Sequence, residues 1–63
     1  MIWKWNSERL LIADKDLADA ERALDREGYE YEYDESNNLV VNRDDMPEIG
    51  PLLHSKYIDY DVV

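Results

Sequence analysis

Carboxylates are the commonest groups in this chain that could do chemistry, and five of them recur at a spacing of two. Glu30, Glu32 and Asp34 alternate with tyrosines in residues 29–34, and Asp59 and Asp61 occur in the similar run 58–63. Successive side chains of a β-strand point to opposite faces of a sheet. Each run therefore predicts a strand that presents its acids on one face, about 6.6 Å apart.

Other catalytic or metal-binding patterns are absent from the sequence. His54 is the single histidine and falls on the outer side of a predicted helix, where a solvated role is expected. No spacing places a serine beside a histidine and an acid, as nucleophilic catalysis requires. The acids do not follow the calcium-loop pattern, two glycines cannot build a phosphate loop, and there is no cysteine. The sequence predicts a non-enzymatic protein with no metal and no cofactor.

Charge and length limit the function classes. With 63 residues the chain predicts a single domain, 1–63, and sixteen Asp and Glu against seven Lys and Arg give a net charge of −9. This charge repels nucleic acid and anionic membranes and favours a basic partner. No apolar run is long enough to cross a membrane and no signal peptide is evident, so we expect a cytoplasmic protein. A salt-adapted cytoplasm is a second explanation for the acidity.

An internal repeat organises the chain. Residues 10–34 and 39–63 align with an offset of 29, and their apolar positions coincide. Each half has a short apolar run, a stretch with helical periodicity and an alternating run, which is the pattern of strand, helix, strand. Two tandem βαβ units predict an α+β, ferredoxin-like βαββαβ sandwich with strand order 4-1-3-2. Its antiparallel sheet carries two helices on one face; exchange of the repeat halves between two chains is the structural alternative.

The helix ends have recognisable signals. Asp14 or Asp16 is expected to cap the first helix, and Gly28 to end it in a left-handed conformation. The second helix is expected to start near Asp44 or Asp45.

Gly50 and Pro51 interrupt the second predicted helix. Proline removes a backbone hydrogen bond in a helix interior, so this helix is expected to be bent or split. The repeat places both residues on its outer face.

Parity assigns the two faces of the sheet. The helix-facing set is Leu10, Ile12, Tyr29, Tyr31, Tyr33, Leu39, Val41, Ile58, Tyr60 and Val62. The open-face set is Leu11, Glu30, Glu32, Asp34, Val40, Asp59 and Asp61. The acids then form two rows, one on each edge strand, about 14 Å apart across three strand spacings. This separation is close to the roughly 12 Å width of a DNA major groove.

Trp3 and Trp5 have two possible positions. If the first strand runs straight through from Ile2, both lie on the open face as contact anchors. If Asn6 and Ser7 form a bulge, the parity reverses and both cap the core.

In size, acidity and lack of cysteine, the chain resembles small phage-encoded DNA-mimic inhibitors such as anti-CRISPR and anti-restriction proteins. The resemblance rests on these whole-chain properties and transfers no functional residue. It implies an inhibitor or adaptor in the host cytoplasm that binds a basic protein, such as a nuclease or CRISPR effector, and no nucleic acid directly. The proposed contact residues are Glu30, Glu32, Asp34, Asp59 and Asp61, with Trp3 and Trp5. The alternative is a homodimeric structural or ligand-sensing module whose acidity serves solubility.

Overall fold

A computed structural model describes residues 6–63, in which a four-stranded antiparallel sheet is covered by two helices. In chain order the elements are β1 (Ser7–Leu11), α1 (Asp14–Glu27), β2 (Tyr31–Tyr33), β3 (Leu39–Asn42), a 3₁₀ turn (Arg43–Asp45), α2 (Met46–Ser55) and β4 (Asp61–Val62). The two strand–helix–strand halves follow the sequence repeat. The α+β prediction is confirmed, and the strands are shorter than the alternating runs that predicted them.

The strands lie in the order β2-β3-β1-β4, which is the predicted order read from the other edge. Leu10 on β1 is paired with Leu39 on β3 and with Val62 on β4, and Leu39 is paired in turn with Tyr33 on β2. Directly paired residues project from the same face of a sheet. These four positions therefore define the helix-facing side, and residues of the other parity define the open face.

The core lies between that face and the helices. Its fully buried members come from both layers: Leu10, Leu39 and Val41 from the sheet, Ala20 and Leu24 from α1, and Ile49 and Leu53 from α2. Because the buried residues of both helices join one cluster, both helices cover the same face. Leu17 and Met46, the first apolar residue of each helix stripe, are half-buried and pack against this cluster.

The first turn of α1 differs from the prediction. Ala13, not an aspartate, is the N-cap, and no side chain bonds to the free N–H groups. The N–H of Asp16 instead donates to the carbonyl of Ala13 at 2.8 Å. Asp14 and Asp16 lie inside the first turn, where their charge still favours the positive end of the helix dipole. Gly28 ends the helix with φ +80°, as predicted.

The second helix is continuous, so the predicted split is wrong. The side chain of Asn42 caps the 3₁₀ turn by accepting from the N–H of Asp44 at 2.9 Å, and α2 follows directly. Pro51 lies inside α2 and is exposed, as its predicted outer position requires.

Gly50 was predicted on the outer face of the second helix and is in fact buried. A Cβ atom at this position would lie 2.9 Å from the hydroxyl oxygen of Tyr60. The close approach of the Tyr60 hydroxyl to α2 explains the correction, because a residue with a Cβ atom at position 50 would require that hydroxyl to move.

Candidate partner-binding surface

The two edge strands carry the predicted acids. Glu32 lies on β2 and is paired with Val40, which is paired with Arg9 on β1; Asp61 on β4 is paired with Leu11. Glu32 and Asp61 have the parity opposite to the core residues, so both lie on the open face of the sheet.

The remaining acids of the predicted surface lie beside these strands. Glu30 and Asp59 precede β2 and β4, outside the regular ladder, and both are exposed. Asp34 directly follows β2. Each edge of the sheet therefore has acids in or next to its strand, and β3 and β1 lie between the two edges.

Arg9 lies between the two acidic rows and was missing from the predicted surface. Its Nε atom is 3.5 Å from Oδ2 of Asp34, and its side chain is 58% exposed. Arg9 and Leu11 are two residues apart on β1 and therefore share a face. The same parity rule that predicted Leu11 on the open face would have predicted Arg9 there. The face is therefore acidic at both edges and basic at one central position.

Asp34 has a structural role that the alternation did not reveal. Its Oδ1 accepts from the backbone N–H groups of Ser36 at 2.9 Å and Asn38 at 2.8 Å, and its Oδ2 accepts from the Asn38 side chain at 3.1 Å. The backbone hydrogen bond from Asn38 is the main reason that the pKa of Asp34 is lowered. This carboxylate holds the loop from β2 to β3, where Asn37 has the positive φ of 63° expected for that loop.

The accessibility of the open face is uneven. Val40 was predicted to be open, but it is only 2% exposed; its paired neighbours on the two adjacent strands, Arg9 and Glu32, both have side chains long enough to cover it. Glu32 is half-buried and its side chain is engaged in a further interaction. Glu30, Asp59 and Asp61 are exposed, and they are the carboxylates that a partner reaches most directly. Leu11 was predicted to be open and is 52% exposed.

Trp3 and Trp5 lie outside the described residues 6–63. Both positions considered for them, on the open face or over the core, remain predictions.

Comparison with protein-family models, curated proteins and solved structures gives no match. Function is therefore inferred from the surface chemistry of residues 6–63. Within this part of the chain, neither helix has the length and apolar character needed to cross a membrane.

The tyrosines of β2 pack toward the helices. Tyr31 donates a hydrogen bond to Asp25 at 3.3 Å and Tyr33 donates one to Glu21, so both hydroxyls are bound to carboxylates of α1. Burial, followed by these carboxylates, raises the pKa of both tyrosines. The rings meet edge to face with centroids 6.3 Å apart. This arrangement ties an edge strand to α1 and leaves the rings unavailable as a stacking platform on the open face.

His54 is exposed, as predicted, and its ring stacks on Tyr60 with centroids 5.8 Å apart. Across residues 6–63, no three histidine, aspartate or glutamate side chains are grouped closely enough to hold a metal ion.

Proposed function

We propose that this chain is a small non-enzymatic inhibitor or adaptor that binds a basic protein surface through the acidic edges of its sheet. The observation that supports this proposal is the exposure of Glu30 next to β2 and of Asp59 and Asp61 at β4, the two edge strands of the sheet. Within the βαββαβ order we assign the fold as ferredoxin-like, which makes these edges the second and fourth strands of that sheet.

The charge balance of the open face favours a cationic partner. Five carboxylates (Glu30, Glu32, Asp34, Asp59 and Asp61) face one arginine within residues 6–63, and that arginine is paired with Asp34. Neutralising one acid with Arg9 leaves four, and these lie in two rows about 14 Å apart. Two rows of negative charge at this separation are similar to the phosphate rows that flank a DNA groove, about 12 Å wide.

The partner class follows from this geometry. A protein that grips DNA lines its cleft with Lys and Arg, and such a cleft also attracts an acidic protein of similar charge spacing. A nuclease or a CRISPR effector has a cleft of this kind, and a phage-encoded inhibitor would meet it in the cytoplasm of the host. The net charge of −9 opposes direct binding to nucleic acid.

Competition with DNA tests this proposal. Basic proteins captured from host lysate by the immobilised chain at low salt are purified, and their DNA binding is measured as the chain is added. We expect the chain to displace DNA and the capture to fail at about 0.5 M salt, where screening acts over a few ångströms. A captured protein that binds DNA equally well with the chain present would contradict an inhibitor of the DNA-mimic type.

A second candidate function is the homodimeric module, and one observation favours it. Leu11, Val62 and Val63 are more than half exposed, and they lie at the β1–β4 side of the sheet. A second copy could cover them, although Asp59 and Asp61 of two such edges would repel each other. Sedimentation equilibrium separates the two functions, because the inhibitor proposal expects a monomer at micromolar concentration and the module expects a dimer.

A further inference from the structure

The two helices end in the same backbone motif, at positions related by the repeat offset of 29. Gly28 and Tyr57 are both left-handed, with φ values of +80° and +60°. In each case the residue's own N–H donates to the carbonyl three residues earlier, at 3.2 and 3.0 Å. The next N–H donates to the carbonyl five residues earlier, at 2.9 and 3.0 Å. Glycine is the residue that this helix ending normally uses.

Tyr57 occupies that glycine position without any compensating contact among residues 6–63. A left-handed conformation is strained for a residue with a Cβ atom. Its side chain is 94% exposed, so it gains nothing from burial. Among residues 6–63 its hydroxyl has no hydrogen-bond partner and its ring has no aromatic neighbour. Strained backbone positions cluster at binding and active sites, so Tyr57 is a candidate contact residue.

A cationic cleft lies next to this residue in the chain. Arg22 and Arg26 project from α1 four residues apart, and Lys56, directly before Tyr57, caps α2. With Ala23 and Asp19 they line a cavity of about 190 Å³ on the helix layer, away from the open face. Three cations against one carboxylate give this cleft a positive charge in a chain of net charge −9.

The charges of the cleft are largely uncompensated. Arg9 and Arg43 are each paired with a carboxylate, and Arg22 is paired with Asp19 at 3.1 Å. Within the described chain, Arg26 and Lys56 form no ion pair. A cation near the carbonyl end of a helix is stabilising. This explains Arg26 at the end of α1 and Lys56 at the end of α2, each taken separately. It does not account for a tyrosine in a strained position directly after Lys56 in the chain.

We infer that Tyr57 and the cleft formed by Arg22, Arg26 and Lys56 are a second contact surface, for a carboxylate-rich segment of a partner protein. Guanidinium groups bind carboxylates in a bidentate, directional way, and the cleft is large enough for one or two acidic side chains. The exposed Tyr57 ring supplies a rigid apolar anchor of the type found at interface hot spots. Two unpaired cations and one paired arginine suit one or two carboxylates, whereas a phosphate backbone is held by many such contacts, so an acidic peptide is the occupant that the cleft selects. This surface is independent of the acidic sheet edges.

Backbone amide shifts of the full chain, titrated with a short Glu-rich peptide, test the inference. We expect saturable shifts at the cleft residues and Tyr57, and none with the same peptide carrying Gln in place of Glu. Tyr57→Gly should bind at least about tenfold more weakly. The same substitution should raise the thermal midpoint by a few degrees, because it relieves backbone strain. Arg26→Gln with Lys56→Gln should abolish binding, whereas Lys15→Gln, which removes a charge outside the cleft, should leave it intact.

Several results would overturn the inference. If the Gln peptide bound as well as the Glu peptide, carboxylates would not be what the cleft recognises. If Tyr57→Gly bound the Glu peptide as well as the native chain does, Tyr57 would not be an anchor. If inorganic phosphate alone produced the same shifts in the native chain and in Tyr57→Gly, the cleft would be a small-anion site. If the same amides moved with protein concentration in the absence of peptide, the occupant would be a second copy of the chain.

Discussion

Arg9 Nε lies 3.5 Å from Asp34 Oδ2, so the centre of the open face is tied to the loop at the edge of the sheet. The same carboxylate accepts three hydrogen bonds within that loop. One acid of the predicted surface is therefore occupied by the fold, and the face carries a cation between its acidic rows. Both facts lead to measurable consequences.

Replacing Arg9 with Gln should accelerate association with a basic partner, because the open face loses its only cation within the described chain. The stability cost should stay below about 1 kcal/mol, since the Arg9 side chain of this ion pair is 58% exposed. Arg43→Gln is the matched control, because Arg43 pairs with Glu8 at 2.8 Å beyond the end of β3. Stopped-flow association rates decide between them: a slower rate for Arg9→Gln would mean that the open face is not the contact surface.

The low pKa of Asp34 predicts a specific acid sensitivity. Its folded pKa is below the ordinary value of 3.8, chiefly through the backbone hydrogen bond from Asn38. The ionised group therefore stabilises the fold at pH values above 3.8, and this contribution is lost as the pH falls through the lowered folded pKa. Urea midpoints should fall more between neutral and strongly acid pH for the native chain than for Asp34→Asn. Parallel pH profiles for the two proteins would show that Asp34 does not contribute.

The faces of α2 are tested by two neighbouring substitutions. Leu53 is fully buried, so Leu53→Ala should cost roughly 2–5 kcal/mol. Pro51 is exposed and has no backbone N–H. Alanine at this position supplies an N–H that can donate to the carbonyl one turn earlier, so Pro51→Ala should be neutral or stabilising. Urea unfolding of both variants provides the comparison, and equal midpoints would contradict the orientation of this helix.

The contact between Gly50 and Tyr60 predicts an energetic coupling. Alanine at position 50 would gain about 1 kcal/mol of helix propensity, but its Cβ would lie 2.9 Å from the Tyr60 hydroxyl oxygen. In a Tyr60→Phe background this oxygen is absent, so Gly50→Ala should stabilise the protein there and not in the native chain. A double-mutant cycle in urea measures the coupling, and additive effects would show that the ring and the helix do not meet.

The internal repeat was sufficient to predict the element order, and the order of the strands came from the ferredoxin-like arrangement assigned to it. The alternation in residues 29–34 correctly predicted that Tyr29 and Tyr31 pack against the core, because every second side chain of a strand points to the same face of the sheet. The sequence did not identify the N-cap of the first helix. Acids near Ala13 interact favourably with the helix dipole without capping the helix, and the residue types alone do not distinguish these two roles.

Contacts between distant parts of the chain accounted for the remaining differences. Gly50 is buried because Tyr60, ten residues later, passes close to α2, and helical periodicity contains no information about that approach. Asp34 looked like a surface acid because the alternating pattern does not reveal hydrogen bonds to a following loop. The strain at Tyr57 became visible only when its backbone conformation could be compared with that of Gly28.

Charge reversal at the two sheet edges tests the central claim most directly. Glu30→Lys with Asp61→Lys changes one exposed acid on each edge, and Glu27→Lys with Asp44→Lys makes the same change in net charge at exposed positions outside the sheet. None of these four side chains forms a hydrogen bond or ion pair within residues 6–63, so both double variants should stay folded.

The measurement is the affinity of both double variants for the purified basic partner at low salt. If the acidic edges form the contact surface, the edge variant should bind at least about tenfold more weakly than the native chain. The control variant should lose much less, through long-range attraction alone. Equal losses in the two variants would contradict the account, because net charge and not the acidic sheet would then determine binding.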